Sequence, residues 1–194
     1  MQIDDLTHSK GYAHGLAMGA GTAGMMASLW AAPNLVGLFG ATLALLMVAI
    51  SAMDARYLII PNELNAVALA VGIGYSAAVN PQAAAGAIAL AIARSVTLSL
   101  LFFFLRTVYR QIRHRDGIGL GDVKLAAAAG AWLGWTILPI TIEMAALAAL
   151  AIYAWRQRAS GRSFRSTSRL PFGLFFAPAI WFGWLLQTLW LASL

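Results

Sequence analysis

The sequence predicts an all-α, polytopic membrane helix bundle of about seven transmembrane helices, on three observations. Of 194 residues, 61% are hydrophobic and only 10% are charged, with a mean hydropathy of +0.76; soluble domains carry about 25% charged residues. The apolar residues fall into runs of roughly 16–26, near the ~20 that cross hydrocarbon as a helix, whereas barrel strands would be about ten residues of alternating polarity. Finally, the cations alternate between connections. Lys10, Arg56, Arg106 to Lys124 and Arg156 to Arg169 fall on every second one, while those near Pro33, Pro81 and Pro139 carry none. Twelve of the thirteen Lys and Arg residues, all but Arg94, thus share one side. By the positive-inside rule that side is the cytoplasm, which predicts a cytoplasmic N-terminus and an outer C-terminus.

Met1 to Lys10 is polar and lacks the basic start, apolar core and small-residue cleavage site of a signal peptide, so it is expected to stay on the chain as a short segment. Residues 11–194 then form one transmembrane domain. The first run, Gly11 to Ala32, has small residues (Gly15, Gly19, Gly21, Gly24) that suit close helix packing in lipid. Pro33-Asn34 breaks it. The second, Leu35 to Met53, ends at Asp54, and Pro61 is placed to open the third, Leu64 to Val79. Asn80-Pro81 stops that run. The fourth, Ala83 to Val108, is interrupted by Arg94; the fifth, Val123 to Leu138, has Pro139 at its turn. The sixth is Ile140 to Trp155, and the seventh, Pro171 to Leu194, is dense in aromatics expected to face lipid and its interfaces.

Composition narrows the chemistry. With no cysteine there is no disulfide, no thiol nucleophile and no thiolate zinc site. His8 and His14 have no third ligand nearby, so no metal is expected. The net charge of +6 is explained by membrane orientation and the anionic bilayer surface, without nucleic acid.

Against this background two carboxylates stand out among only seven acidic residues. Asp54 closes the second helix, where it opposes the macrodipole. Asp122 opens the fifth within Gly119-Leu120-Gly121-Asp122-Val123-Lys124, where a plain helix cap would also serve. Placed at one depth on different helices, two aspartates can converge on one water. Like charges held close share a single proton, so one carboxylate can take a proton from water while the other protonates a peptide carbonyl. Gly119 and Gly121 would let a backbone approach without a Cβ clash.

With these residues in view, the sequence resembles the type IV prepilin peptidases, GxGD-type aspartyl proteases of bacterial and archaeal membranes. The matching residues are Asp54 followed by Pro61-Asn62, then Gly119 to Lys124, then Pro171-Phe172-Gly173, in one order over roughly Val48 to Ala179. The resemblance implies an aspartyl endopeptidase of the bacterial inner membrane whose active site faces the cytoplasm. It would remove the basic leader of type IV prepilins or pseudopilins, after a glycine ahead of the hydrophobic pilin helix. Asp54 and Asp122 would be the catalytic dyad. Pro61, Asn62, Gly119, Gly121, Lys124, Pro171, Phe172 and Gly173 would bind substrate or support the site. No cofactor is implied. The larger members carry a four-cysteine insert and also N-methylate the new terminus; this chain has no cysteine, so methyl transfer is not expected. Leu174 stands where many members have a second proline, and reads as variation at the substrate-side helix.

Other polar residues stay open at this level. Lys124 could raise the ionised fraction of Asp122, contact the pilin, or anchor at the interface. Glu63 and Asp116 could receive leader lysines or be merely solvated. Arg94, near mid-membrane, and Glu143, toward the outer end of the sixth helix, fit a structural pair, a water-cavity contact or a functional role. Two rival functions remain. A presenilin-type GxGD protease would carry Pro-Ala-Leu where this chain has Pro171-Phe172-Gly173. A transporter or assembly factor using both aspartates as ion sites would place them near the midplane.

Overall fold

The computed structural model describes residues 3–114, 117–160 and 171–192. Asp116, and most of the basic stretch between Arg156 and Arg169, lie outside them, as do the side chains of His8 and His14. The described residues form seven α-helices and no strand: α1 (Ile3–Ala31), α2 (Leu35–Tyr57), α3 (Asn62–Val79), α4 (Ala84–Arg113), α5 (Leu120–Trp132), α6 (Ile137–Ser160) and α7 (Gly173–Ala192). Four of them, α2, α4, α6 and α7, are long and apolar enough to cross a membrane, which makes the chain a multi-pass membrane protein. Helix α1 runs unbroken from Ile3, so it includes most of the polar start.

The boundaries follow local chemistry. Asn34 caps α2 by accepting the Val36 N–H at 2.9 Å. At the other end Leu58 takes a left-handed conformation (φ 54°) and donates its N–H to the Asp54 carbonyl. Leu58 and His114, which ends α4 in the same way, are the non-glycine residues with positive φ. Pro61, extended, leads directly into α3.

Helix α5 is the centre of the bundle. It packs against α3, α4 and α7, while α6 lies outside along α7, and from Leu125 to Trp132 all but one of its residues are buried. At 13 residues it is only about 20 Å long at 1.5 Å per residue, too short to cross ~30 Å of hydrocarbon. The expected run from Val123 to Leu138 with a turn at Pro139 is therefore corrected. The turn lies at residues 133–136, and Pro139 sits in the first turn of α6, where a missing N–H leaves no bond unmade.

That early end leaves backbone carbonyls inside the protein, and neighbouring helices satisfy them. Leu133 N–H reaches Ala129 O at 3.0 Å, Arg94 Nε donates to Gly130 O at 3.0 Å, and Ser76 Oγ to Ala131 O at 3.2 Å. In the turn, the Gly134 N–H donates to Gln187 Oε1 at 2.8 Å. Non-helical backbone at this depth is tolerated only with such partners. Arg94 therefore has a structural use. It is the cation at the C-terminus of a buried helix, where the macrodipole favours positive charge. Its bond is to Gly130, on α5, whereas Glu143 is exposed on α6.

Packing between α3 and α5 is equally close. Trp132 Nε1 donates to Ala68 O at 2.8 Å, and the Trp132 ring stacks on Tyr75 with centroids 5.2 Å apart. Gly72 leaves the room, since a Cβ there would meet the indole at 2.7 Å.

Candidate active site

The three sequence motifs meet at one end of the bundle. Asp54 lies in the last turn of α2 and is buried. The chain returns to it 120 residues later, when the Leu174 N–H, in the first turn of α7, donates to Asp54 Oδ2 at 2.9 Å; the Gly173 amide faces the same carboxylate. A helix N-terminus presents unpaired N–H groups and a partial positive charge, so α7 is a ready seat for this carboxylate. It offsets the unfavourable position of Asp54 at the C-terminal end of α2. Gly173 is required there by space, because a Cβ would stand 2.8 Å from Asp54 Oδ2.

Asp122 is the third residue of α5 and 9% exposed. Its Oδ2 accepts the Gly119 N–H at 3.0 Å, one half of a capping box. Gly119 is the N-cap of α5, and Asp122 at the third position supports it through that bond. Burial pushes its carboxyl up to about 6; the Asp54 charge adds to that, while the Gly119 N–H and the Arg106 guanidinium oppose it. In both aspartates Oδ2 is held by a backbone amide at the start of a helix.

The loop before Asp122 is pinned to α4. Arg106 donates to Ile118 O, and Gly117 lies under Tyr109, so closely that a Cβ would touch the ring. Lys124 is exposed and donates to Asn62 Oδ1 at 2.6 Å, which ties the start of α3 to α5. It joins the second motif to the first and is not a hydrogen-bond partner of Asp122. Phe172 packs at a tilt on Phe176, with ring centroids 5.4 Å apart, and Phe176 stacks on Phe102 of α4 at 5.6 Å. Pro171 is half-buried just ahead of α7, and Glu63 is exposed.

Three contributors escaped the sequence reading. Arg106 reads there as one cation of a topology-setting loop. Leu174 acts through its backbone, which no side chain signals. Ile60, in the loop between α2 and α3, is 8% exposed although its neighbour Ile59 is 61% exposed, and an isoleucine beside a proline carries no motif. No group of three or more potential metal-ligating side chains occurs among the described residues.

The sequence model of the type IV leader peptidase family matches residues 41–154. A prepilin leader peptidase/N-methyltransferase of Burkholderia pseudomallei is 34% identical over 165 residues, 84% of this chain and 50% of that protein. The leader peptidase HopD of Escherichia coli is 34% identical over 136 residues, 70% of this chain and 84% of that one. A prepilin leader peptidase/N-methyltransferase of Klebsiella pneumoniae is 30% identical over 134 residues, 69% and 57% of the two chains. The chain thus spans about half the length of the first of these relatives. No solved structure matches.

Proposed function

Because the chain belongs to the type IV leader peptidase family, we propose that it is a membrane aspartyl endopeptidase that removes the leader of type IV prepilins or pseudopilins. The observation that carries this is the convergence of Asp54 and Asp122, each with one oxygen anchored to a backbone amide and each belonging to a motif that contacts the other. Of the two activities in the relatives' names, the peptidase is the one a carboxylate pair supports.

The dyad holds one proton between two carboxyl groups. Asp122, with its raised affinity for a proton, is the acid that protonates the scissile carbonyl oxygen. Asp54, seated on the amides of α7, takes a proton from the attacking water. A tetrahedral diol forms; as its C–N bond breaks, the proton gained by Asp54 passes to the leaving amine and a diol hydroxyl returns its proton to Asp122. No metal or organic cofactor is needed for these steps. In the proposed orientation the site faces the cytoplasm in the inner membrane, with the pilin helix lying in the bilayer beside the bundle. The net charge of +6 and the basic loops support that orientation.

The test is cleavage of a panel of leader-bearing prepilins by membranes containing the wild type, Asp54→Asn or Asp122→Asn at equal protein levels. Processing by the wild type and its loss in both variants is expected. Normal cutting by either variant would rule out the dyad.

A further inference from the structure

We propose that Ile60 is a positioning residue, an apolar spacer lodged between the two glycine motifs that sets how far apart Asp54 and Asp122 stand. This rests on the peptidase reading for its consequence but not for its geometry.

The chain aims Ile60 inward by a short sequence of constraints. Leu58 bonds back to the carbonyl of Asp54 and turns the backbone left-handed; Pro61 then fixes the entry to α3. Between them Tyr57, Leu58 and Ile59 are all more than half exposed, and Ile60 alone is buried. Its side chain meets both catalytic elements. A Cβ on Gly121, the residue before Asp122, would lie 3.0 Å from Ile60 Cβ and 3.2 Å from its Cγ1 and Cδ1. A Cβ on Gly173, at the amide seat of Asp54, would lie 2.8 Å from Ile60 Cδ1. One isoleucine thus fills the space that two glycines leave open, on the two helix N-termini that hold the two carboxylates. Packed interiors transmit changes of even one methylene. The volume of residue 60 therefore governs the approach of α5 to α7, and with it the geometry of the shared water.

The two glycines differ in a way that gives the proposal a signature. At Gly121 the three nearest atoms to an added Cβ all belong to Ile60; at Gly173 Asp54 Oδ2 is equally close. Shortening Ile60 should partly restore a Gly121→Ala variant and should not restore Gly173→Ala.

The cysteine-free sequence allows a direct test. Spin labels on Tyr57→Cys and Leu120→Cys, both on exposed residues, report the separation of the α2 and α5 ends by pulsed electron resonance in the full chain. Ile60→Ala is expected to shift or broaden that distance, and Ile60→Val, which loses only Cδ1, to do so less. An unchanged distribution in Ile60→Ala overturns the spacer. In cleavage of whichever leader-bearing prepilin the wild type cuts, Ile60→Ala should lower kcat about tenfold or more with KM little changed, as expected of misplaced catalytic groups, with Ile60→Val falling between it and the wild type. A KM effect alone overturns the proposal. If the wild type cuts no prepilin, the peptidase reading fails, and the label distances still decide the spacer.

Discussion

The backbone N–H of Leu174 donates to Asp54 Oδ2 at 2.9 Å, joining residues 120 positions apart. A proline at position 174 could not make that bond, although it would suit the first turn of a helix. Leu174→Pro should therefore leave the fold intact and act on the carboxylate alone. A hydrogen bond to a charged group contributes about 1.5–3 kcal/mol to stability. The Gly173 amide still faces the carboxylate and many family members carry proline at this position, so Leu174→Pro should lower the melting temperature and reduce cleavage by less than about tenfold. Leu174→Ala, which keeps the N–H, should stay near wild type. Equal losses in both variants would mean that the side chain matters and the amide does not.

Gly173 should not tolerate a methyl group without loss of activity, because the contacts it would make belong to the site itself. The added Cβ would press on Asp54 Oδ2 and Ile60 Cδ1, both at 2.8 Å. The carboxylate must turn off its amide, so Gly173→Ala should abolish cleavage while the protein still accumulates. Gly74, around which a Cβ meets nothing within 4 Å, supplies the comparison. Gly74→Ala should be active and no less stable, since alanine is the better helix former by about 1 kcal/mol.

The proton on Asp122 sets a pH limit. Its carboxyl is raised from 3.8 to about 6, so between those values the folded protein keeps a proton that the unfolded chain has released. Stability should then decline as pH rises through that window, and Asp122→Asn should lessen this decline. Cleavage that needs the protonated form should fall as pH rises through about 6. The Arg106 charge opposes the raised value, so Arg106→Leu should move that limb of the kcat/KM profile to higher pH. Lys124→Met, which breaks only the bond to Asn62, should leave the limb in place. A limb that moves downward in Arg106→Leu would exclude the electrostatic role given to Arg106.

Much of this arrangement is legible in the chain itself, for physical reasons. Hydropathy and cation spacing reveal a helical membrane protein because lipid forces apolar runs and the cytoplasmic side collects Lys and Arg. Asp54, Asp122, Gly119 and Gly173 are visible because a carboxylate or a glycine in an apolar chain is costly unless used. The end of α5 is hidden, because Val123 to Leu138 is uniformly apolar whether it crosses the membrane or stops at Trp132. What stops it is contact with α3, α4 and α7, through Ala68, Arg94 and Gln187. Ile60 and Leu174 are hidden for the same reason. Their work is defined by a neighbour more than 60 residues away, and residue type alone does not carry it.

The buried end of α5 yields the last prediction. Arg94 lies at a depth where an arginine is costly, and its Nε bond to Gly130 O explains its retention. Arg94→Met keeps the stem and removes the donor, which leaves a helix-terminal carbonyl unpaired inside the bundle. The expected loss is about 1.5–3 kcal/mol, a fall in melting temperature of roughly 3–12 °C for a chain of this size. Cleavage per folded molecule should be unchanged, since Arg94 contacts neither carboxylate. Gly130→Ala should be worse, because its Cβ would stand 2.6 Å from the backbone of Arg94 and Ser95, which cannot turn aside as a side chain could. A thermal melt in detergent beside single-turnover cleavage separates the two effects. A drop in turnover with an unchanged melt would place Arg94 in the reaction and remove it from the frame.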